Sequence, residues 1–158
     1  MKKLLLLFVA TASLLISCDK NDDNNTIDNS TLLHGKWEVK SFTAEATMNG
    51  TPIPLEDVEF SGTIGTVFEF YSNNKMKVTS YDDFDETWYT EEGTYVYNVA
   101  QGEIITTMVD SEDNSTYVQK MKVNALTNSN FNFSAEESET YEGMVIKLTM
   151  DFNCVRKN

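Results

Sequence analysis

At 158 residues the chain has room for one domain with a buried core, and not for several. Its formal net charge of −13 repels phosphate backbones and anionic headgroups, so no nucleic-acid partner is expected. Two cysteines, Cys18 and Cys154, and a single histidine, His34, leave little for thiol, triad or zinc chemistry.

The first element is a leader. Lys2 and Lys3 open it, and Leu4 to Ile16 form an apolar stretch broken by Thr11 and Ser13. That stretch is too short to span a bilayer comfortably and has the layout of a secretory signal. The junction Leu15-Ile16-Ser17-Cys18 resembles a bacterial lipobox. The resemblance implies removal of residues 1–17 and lipidation of Cys18 with acyl chains of the palmitate kind. It also implies a lipid anchor at the outer membrane, on its periplasmic or cell-surface face. Several chains on one Cys anchor stably where a single chain would be marginal. With the Cys18 sulfur so occupied, Cys154 has no partner within the chain and is expected as an apolar filler. Residues 18–31 follow as an acidic tether, because Asp19 to Ser30 contains one apolar side chain, Ile27, and cannot bury enough surface to fold. Asp19, Asp22 and Asp23 resemble the acidic signals that carry some lipoproteins to the outer face of the outer membrane.

From Leu32 to the end, residues 32–158, the apolar period is two. Trp37, Val39 and Ser41 alternate with charged residues, as do Phe68 with Phe70 and Met76 with Val78, and Tyr95, Tyr97 and Val99 share one face. Ile104 with Met108, Met121 with Val123 and Ala125, and Phe131 with Phe133 continue the pattern. The clearest run is the last, where Met144, Ile146, Leu148, Met150 and Phe152 share a face. Turn material separates these runs at Ser72 to Asn74, Ala100 to Gly102, Asp110 to Ser115, Thr127 to Ser129 and Glu136 to Gly143. Gly50 to Asp57, with both prolines of the chain, is expected as an irregular crossing, and no segment carries a helical stripe. The pattern predicts an all-β domain: an antiparallel up-and-down barrel of about eight strands.

A meander that opens on Leu33-His34-Gly35-Lys36-Trp37 resembles the lipocalins, and more closely the lipocalin-like domains of bacterial lipoproteins. Gly35-Lys36-Trp37 matches their Gly-x-Trp motif, and Gly93-Thr94-Tyr95 matches the start of a central strand in the bacterial group. The resemblance covers roughly residues 32–156. It implies that Gly35 allows a close backbone turn at the barrel floor, that Trp37 plugs that end, and that Arg156 lies across the indole as a cation–π partner. The Thr-Asp-Tyr signature of lipocalins is absent.

Catalytic motifs are not found. One His, no Gly-x-Ser-x-Gly and no His-Glu-x-x-His argue against hydrolase and zinc-peptidase chemistry, so no enzymatic activity, cofactor or metal is expected. His34 reads as a polar residue at one end of the barrel. Tyr81 to Glu86 and Asp110 to Asn114 are acidic enough to suggest calcium, but they lack the bend glycine and ligand spacing of an EF-hand. Asp83 and Asp85 read as loop acids, and the Asn-x-Ser/Thr triplets as a by-product of Asn richness.

The aromatic content points to a ligand instead. Eight strands enclose a space that either fills with side chains or admits one small molecule. The expected function is non-enzymatic binding of a small apolar or amphipathic ligand by a monomeric, lipid-anchored barrel, with Phe68, Phe70, Tyr95 and Tyr97 lining the cavity. The alternative is a filled barrel that docks on an outer-membrane or envelope complex through its loops.

Overall fold

The computed structural model describes residues 29–55, 64–82, 86–110, 114–141 and 143–158. The leader and Cys18 lie outside the described residues. A short helix, α1 (Asn29–Leu33), is followed by β1 (Gly35–Met48), β2 (Thr51–Ile53), β3 (Val67–Phe70), β4 (Lys75–Asp82) and β5 (Thr87–Asn98). The sheet then continues through β6 (Glu103–Val109), β7 (Thr116–Leu126), β8 (Asn130–Tyr141) and β9 (Met144–Lys157).

Strand order runs β2-β1-β3-β4-β5-β6-β7-β8-β9, every pairing is antiparallel, and β9 returns to pair with β1. Eight strands, β1 and β3 to β9, therefore close an up-and-down barrel of lipocalin-like form, and β2 is a short flap on the end of β1. Closure removes the unpaired edges that an open sheet would leave to other chains.

Alternation then sorts every strand into an inner and an outer face. One inward ladder passes directly through Tyr97, Ile104, Met121, Ala135, Met150 and Ala44, crossing from β5 to β1 by way of every strand between. Its middle four members are buried. Lys120, Lys122 and Lys147, at intervening positions, are exposed. On β9, Leu148, Met150 and Phe152 are buried as the last apolar run predicts, while Met144 and Ile146 on the same face are half-buried.

Two bulges break the alternation where the simple pattern does not show it. Between Val39 and Ser41 the register of β1 against β9 shifts by one, so the inward positions pass to Phe42, Ala44 and Ala46. Ser41, expected inside, is exposed. A second shift between Val123 and Ala125 on β7 turns Ala125 outward and Leu126 inward. An extra residue in one strand flips everything beyond it to the other face.

Three further expectations are corrected. Residues 29–31, expected as the end of the tether, belong to the helical turn α1, which the buried Leu33 seats against the barrel. Thr51 to Ile53 form a hairpin with β1, since Asn49 (φ 49°) and Gly50 (φ 81°) make the tight turn that the Asn-Gly pair favours. Pro52 sits in that short outer strand, where a missing donor is tolerated. Glu136 to Tyr141 are not a turn. They extend β8, pairing residue by residue with Thr149 to Met144.

Candidate functional site

The two ends of the barrel differ. At one end lie α1 and the turns at Tyr71 to Asn74, Val99 to Gly102 and Thr127 to Ser129; at the other β1 ends and β9 begins. We call the first the floor and the second the mouth.

The floor is built around Trp37, which is fully buried. Its indole Nε1 donates to the carbonyl of Leu33 at 2.7 Å, tying α1 to β1. The Arg156 guanidinium lies over the ring, 4.2 Å from the centroid. Its three nitrogens donate to the carbonyls of Leu32 (2.7 Å), His34 (2.7 Å) and Asn128 (2.6 Å). One side chain thus holds α1, the start of β1 and the β7–β8 turn together. Gly35 stands here with φ 121°, and a Cβ on it would come within 2.5 Å of Arg156 Nη1. The Gly-x-Trp motif therefore serves the close approach of Arg156, and the half-buried His34 contributes its carbonyl.

Above the floor the interior is filled by rings. Phe70 meets Tyr95 (5.1 Å between centroids) and Phe131 (5.9 Å), Phe131 meets Trp37 (5.7 Å) and stacks on Phe133 (4.9 Å). Phe133 stacks in turn on Phe152 (4.8 Å) and takes Phe68 edge-on (5.3 Å). Phe68 and Phe70 on β3 thereby reach across the lumen to β8. Such pairs add roughly 0.5–1.5 kcal/mol each beyond the area they bury.

These contacts place the four aromatic residues expected to line a cavity. Phe68, Phe70 and Tyr95 are brought together in the half of the barrel that contains Trp37, and Tyr97 lies half-buried beyond them toward the β5–β6 turn. The Tyr95 hydroxyl is already used, donating to the carbonyl of Tyr71 at 2.9 Å. They sit near the floor because β3 is short and its register sets Phe68 opposite Trp37 and Phe70 opposite Gly35. Trp88 lies on the outer face, 59% exposed and tilted against its cross-strand partner Tyr81 at 5.3 Å.

The mouth half has a different lining. On β7, Tyr117 lies opposite the buried Met108, and Gln119 opposite the buried Thr106, so both share the inner face. Glu137 lies opposite the buried Leu148, and Glu91 opposite Val78. The Tyr117 hydroxyl donates to Glu91 at 2.8 Å, and the Gln119 amide donates to Glu137 at 3.1 Å. Glu137 is accessible from the mouth, yet desolvation raises its carboxyl pKa against the lowering effect of Gln119. Desolvation first, and then the bond that its hydroxyl donates to Glu91, push the Tyr117 phenol far above its ordinary value. Across the lumen, β1 and β9 present Phe42, Ala44, Met48, Met144 and Ile146, all half-buried.

Sequence reasoning found the floor and missed this polar ladder. The signal was present, because Gln119 and Glu137 fall in phase with Met121 and Ala135, but carboxylates in alternating strands read first as outward residues. Cys154 is a free, buried thiol whose pKa burial pushes up to about 12, as suits a filler. The acidic segments 83–85 and 111–113 lie outside the described residues. Among the described residues no His, Cys, Asp or Glu side chains gather in a group of three or more as metal ligands would. No family model matches the chain, and no curated protein matches it.

Proposed function

We propose that this protein is a lipid-anchored envelope lipoprotein whose barrel binds a small apolar or amphipathic molecule without transforming it. One observation carries the binding part: inward side chains are buried around the floor and become accessible toward the mouth. Phe131, Phe133 and Ala135 on β8 are buried, and Glu137 and Glu139 farther along the same face are exposed. Leu148 on β9 is buried, and Ile146 and Met144 are half-buried. A guest entering at the mouth would rest on the ring-filled half, with Phe68 nearest, and contact apolar β1 and β9 on one side and polar β7 and β8 on the other. The anchoring part rests on the lipobox resemblance at Cys18.

Two measurements test the reading. The chain from residue 18 onward, with Cys18→Ser to keep it soluble, should bind a fluorescent fatty alcohol or similar apolar probe saturably. In cells, Cys18→Ser should abolish acyl labelling and leader cleavage; labelling that persists in the variant removes the anchor.

The outer wall favours a second reading, a docking module at an envelope complex. Val96 and Val118 on β5 and β7 are 66% and 65% exposed, and Val109 is exposed on β6, the strand that separates theirs. A barrel that binds no apolar probe but is retained on an envelope partner, and released by Val96→Lys with Val118→Lys, would support it.

A further inference from the structure

The mouth half of the lumen has two unlike walls, and their chemistry narrows what can enter. The apolar wall is Phe42, Ala44 and Met48 on β1 with Met144 and Ile146 on β9. The polar wall is Glu91, Tyr117, Gln119 and Glu137 on β5, β7 and β8. Both carboxylates are tied to neutral donors, Tyr117 and Gln119, which orient them without cancelling their charge.

Among the described residues no basic group balances them from within. On β4, β7 and β9 the lysines occupy the alternate positions: Lys75 and Lys77 flank the inward Met76, Lys120 and Lys122 flank Met121, and Lys147 precedes Leu148. The ion pairs that form among the described residues, Lys36–Glu69, Lys40–Glu38, Lys120–Glu103, Lys147–Glu136 and Lys157–Glu38, use these outward or floor-end positions. Glu91 and Glu137 facing a half-enclosed space, with Glu139 beyond them at its rim and no inward cation among the described residues, set up a field that favours a positive guest and repels a negative one. The apolar wall opposite requires that the same guest carry an alkyl or aryl body.

We infer that the ligand is a cationic amphiphile, with an ammonium-like head at Glu91 and Glu137 and an apolar body against β1 and β9. The inference rests on the binding function proposed above and adds the sign of the head group. It separates this barrel from one that stores fatty acids, whose carboxylates would meet like charge at the same place.

The test uses the soluble Cys18→Ser chain from residue 18 onward and three probes of one chain length: dodecyltrimethylammonium, dodecanol and dodecanoate, each below its aggregation limit, titrated by calorimetry. The ammonium probe should bind about tenfold more tightly than the carboxylate, and the preference should shrink as salt rises. Glu91→Gln with Glu137→Gln is close to isosteric; it should remove most of the preference, so that the ammonium and carboxylate probes bind nearly alike. Glu136→Gln removes a neighbouring charge from the outer face of the same strand and should leave the preference intact. If dodecanol binds but the ammonium probe has no advantage, or if the double variant keeps the advantage, the cationic assignment is overturned and the binding function stands. If Glu136→Gln weakens the preference as much as the double variant does, net charge rather than this wall is responsible, and the assignment again fails. If no probe binds, the binding function itself falls and takes the inference with it.

Discussion

Arg156 lies over Trp37 with its guanidinium carbon 4.2 Å from the ring centroid, and every one of its nitrogens meets a backbone carbonyl of the floor. The pair closes the barrel at the point where β9 meets β1, since Trp37 and Arg156 are also register partners. Trp37→Ala should cost about 3–5 kcal/mol as a large-to-small change in a filled core. Arg156→Ala should cost on the order of 2 kcal/mol through its charge-assisted bonds, and Arg156→Lys should recover only part, because an ammonium lacks the planar fork. Urea unfolding read by circular dichroism gives these values. An Arg156→Ala chain as stable as the parent would mean that α1 is held by Trp37 and Leu33 alone.

How much of this was legible beforehand depended on whether the signal was local. The Gly35-Lys36-Trp37 motif, the clean alternation of Met144 to Phe152 and the free Cys154 could be read directly, because each depends on a few adjacent residues. The positions of Ser41 and Ala125 could not, since a bulge adds one residue to one strand and leaves no mark in the alternation before it. The Asn49-Gly50 turn was visible but was outweighed by the prolines at positions 52 and 54. The polar ladder was hidden for a different reason. Its members face inward only because β7 and β8 extend past the core to the mouth, and that length is a property of the closed sheet.

Gly93 provides a sharper test of the inner wall. It stands at an inward position between Glu91 and Tyr95, and a Cβ there would strike the Thr107 carbonyl oxygen and come within 2.8 Å of the Met108 sulfur. Met108 fills the notch that the missing side chain leaves. Gly93→Ala should therefore destabilise by about 1–3 kcal/mol, since backbone as well as a side chain must yield. Gly50→Ala meets nothing within 4 Å, but its φ of 81° is strained for alanine and should cost about 1–2 kcal/mol. The two differ in where the cost falls: Gly93→Ala should perturb the near-ultraviolet signal of the packed interior, and Gly50→Ala should leave it unchanged.

Cys154 should behave as an inert thiol in the folded chain. It is buried, its pKa is pushed up to about 12 by that burial, and the thiolate is the reactive form. In a Cys18→Ser background it is the one thiol, so labelling by a small disulfide reagent at mildly alkaline pH should be slow until denaturant is added. Rapid labelling of the folded protein would show that the floor end opens on the timescale of the assay.

Glu137 links the candidate site to stability through pH. Desolvation raises its carboxyl pKa, opposed by the bond from Gln119, so the folded chain holds this proton more tightly than the unfolded chain does. A raised carboxyl contributes stability that is complete below the unfolded carboxylate range and is lost as pH rises through the folded value. At neutral pH the parent protein therefore carries an unfavourable charge at this position, which Glu137→Gln removes while keeping shape and a hydrogen-bonding oxygen. The variant should unfold at higher urea than the parent near pH 7, and the gap should close as both are acidified toward about pH 4. The outer carboxylates titrate in both chains and cancel in the comparison. A variant less stable than the parent at pH 7, with a deficit that disappears in acid, would reverse the sign and make Glu137 a group that the fold stabilises in its charged form.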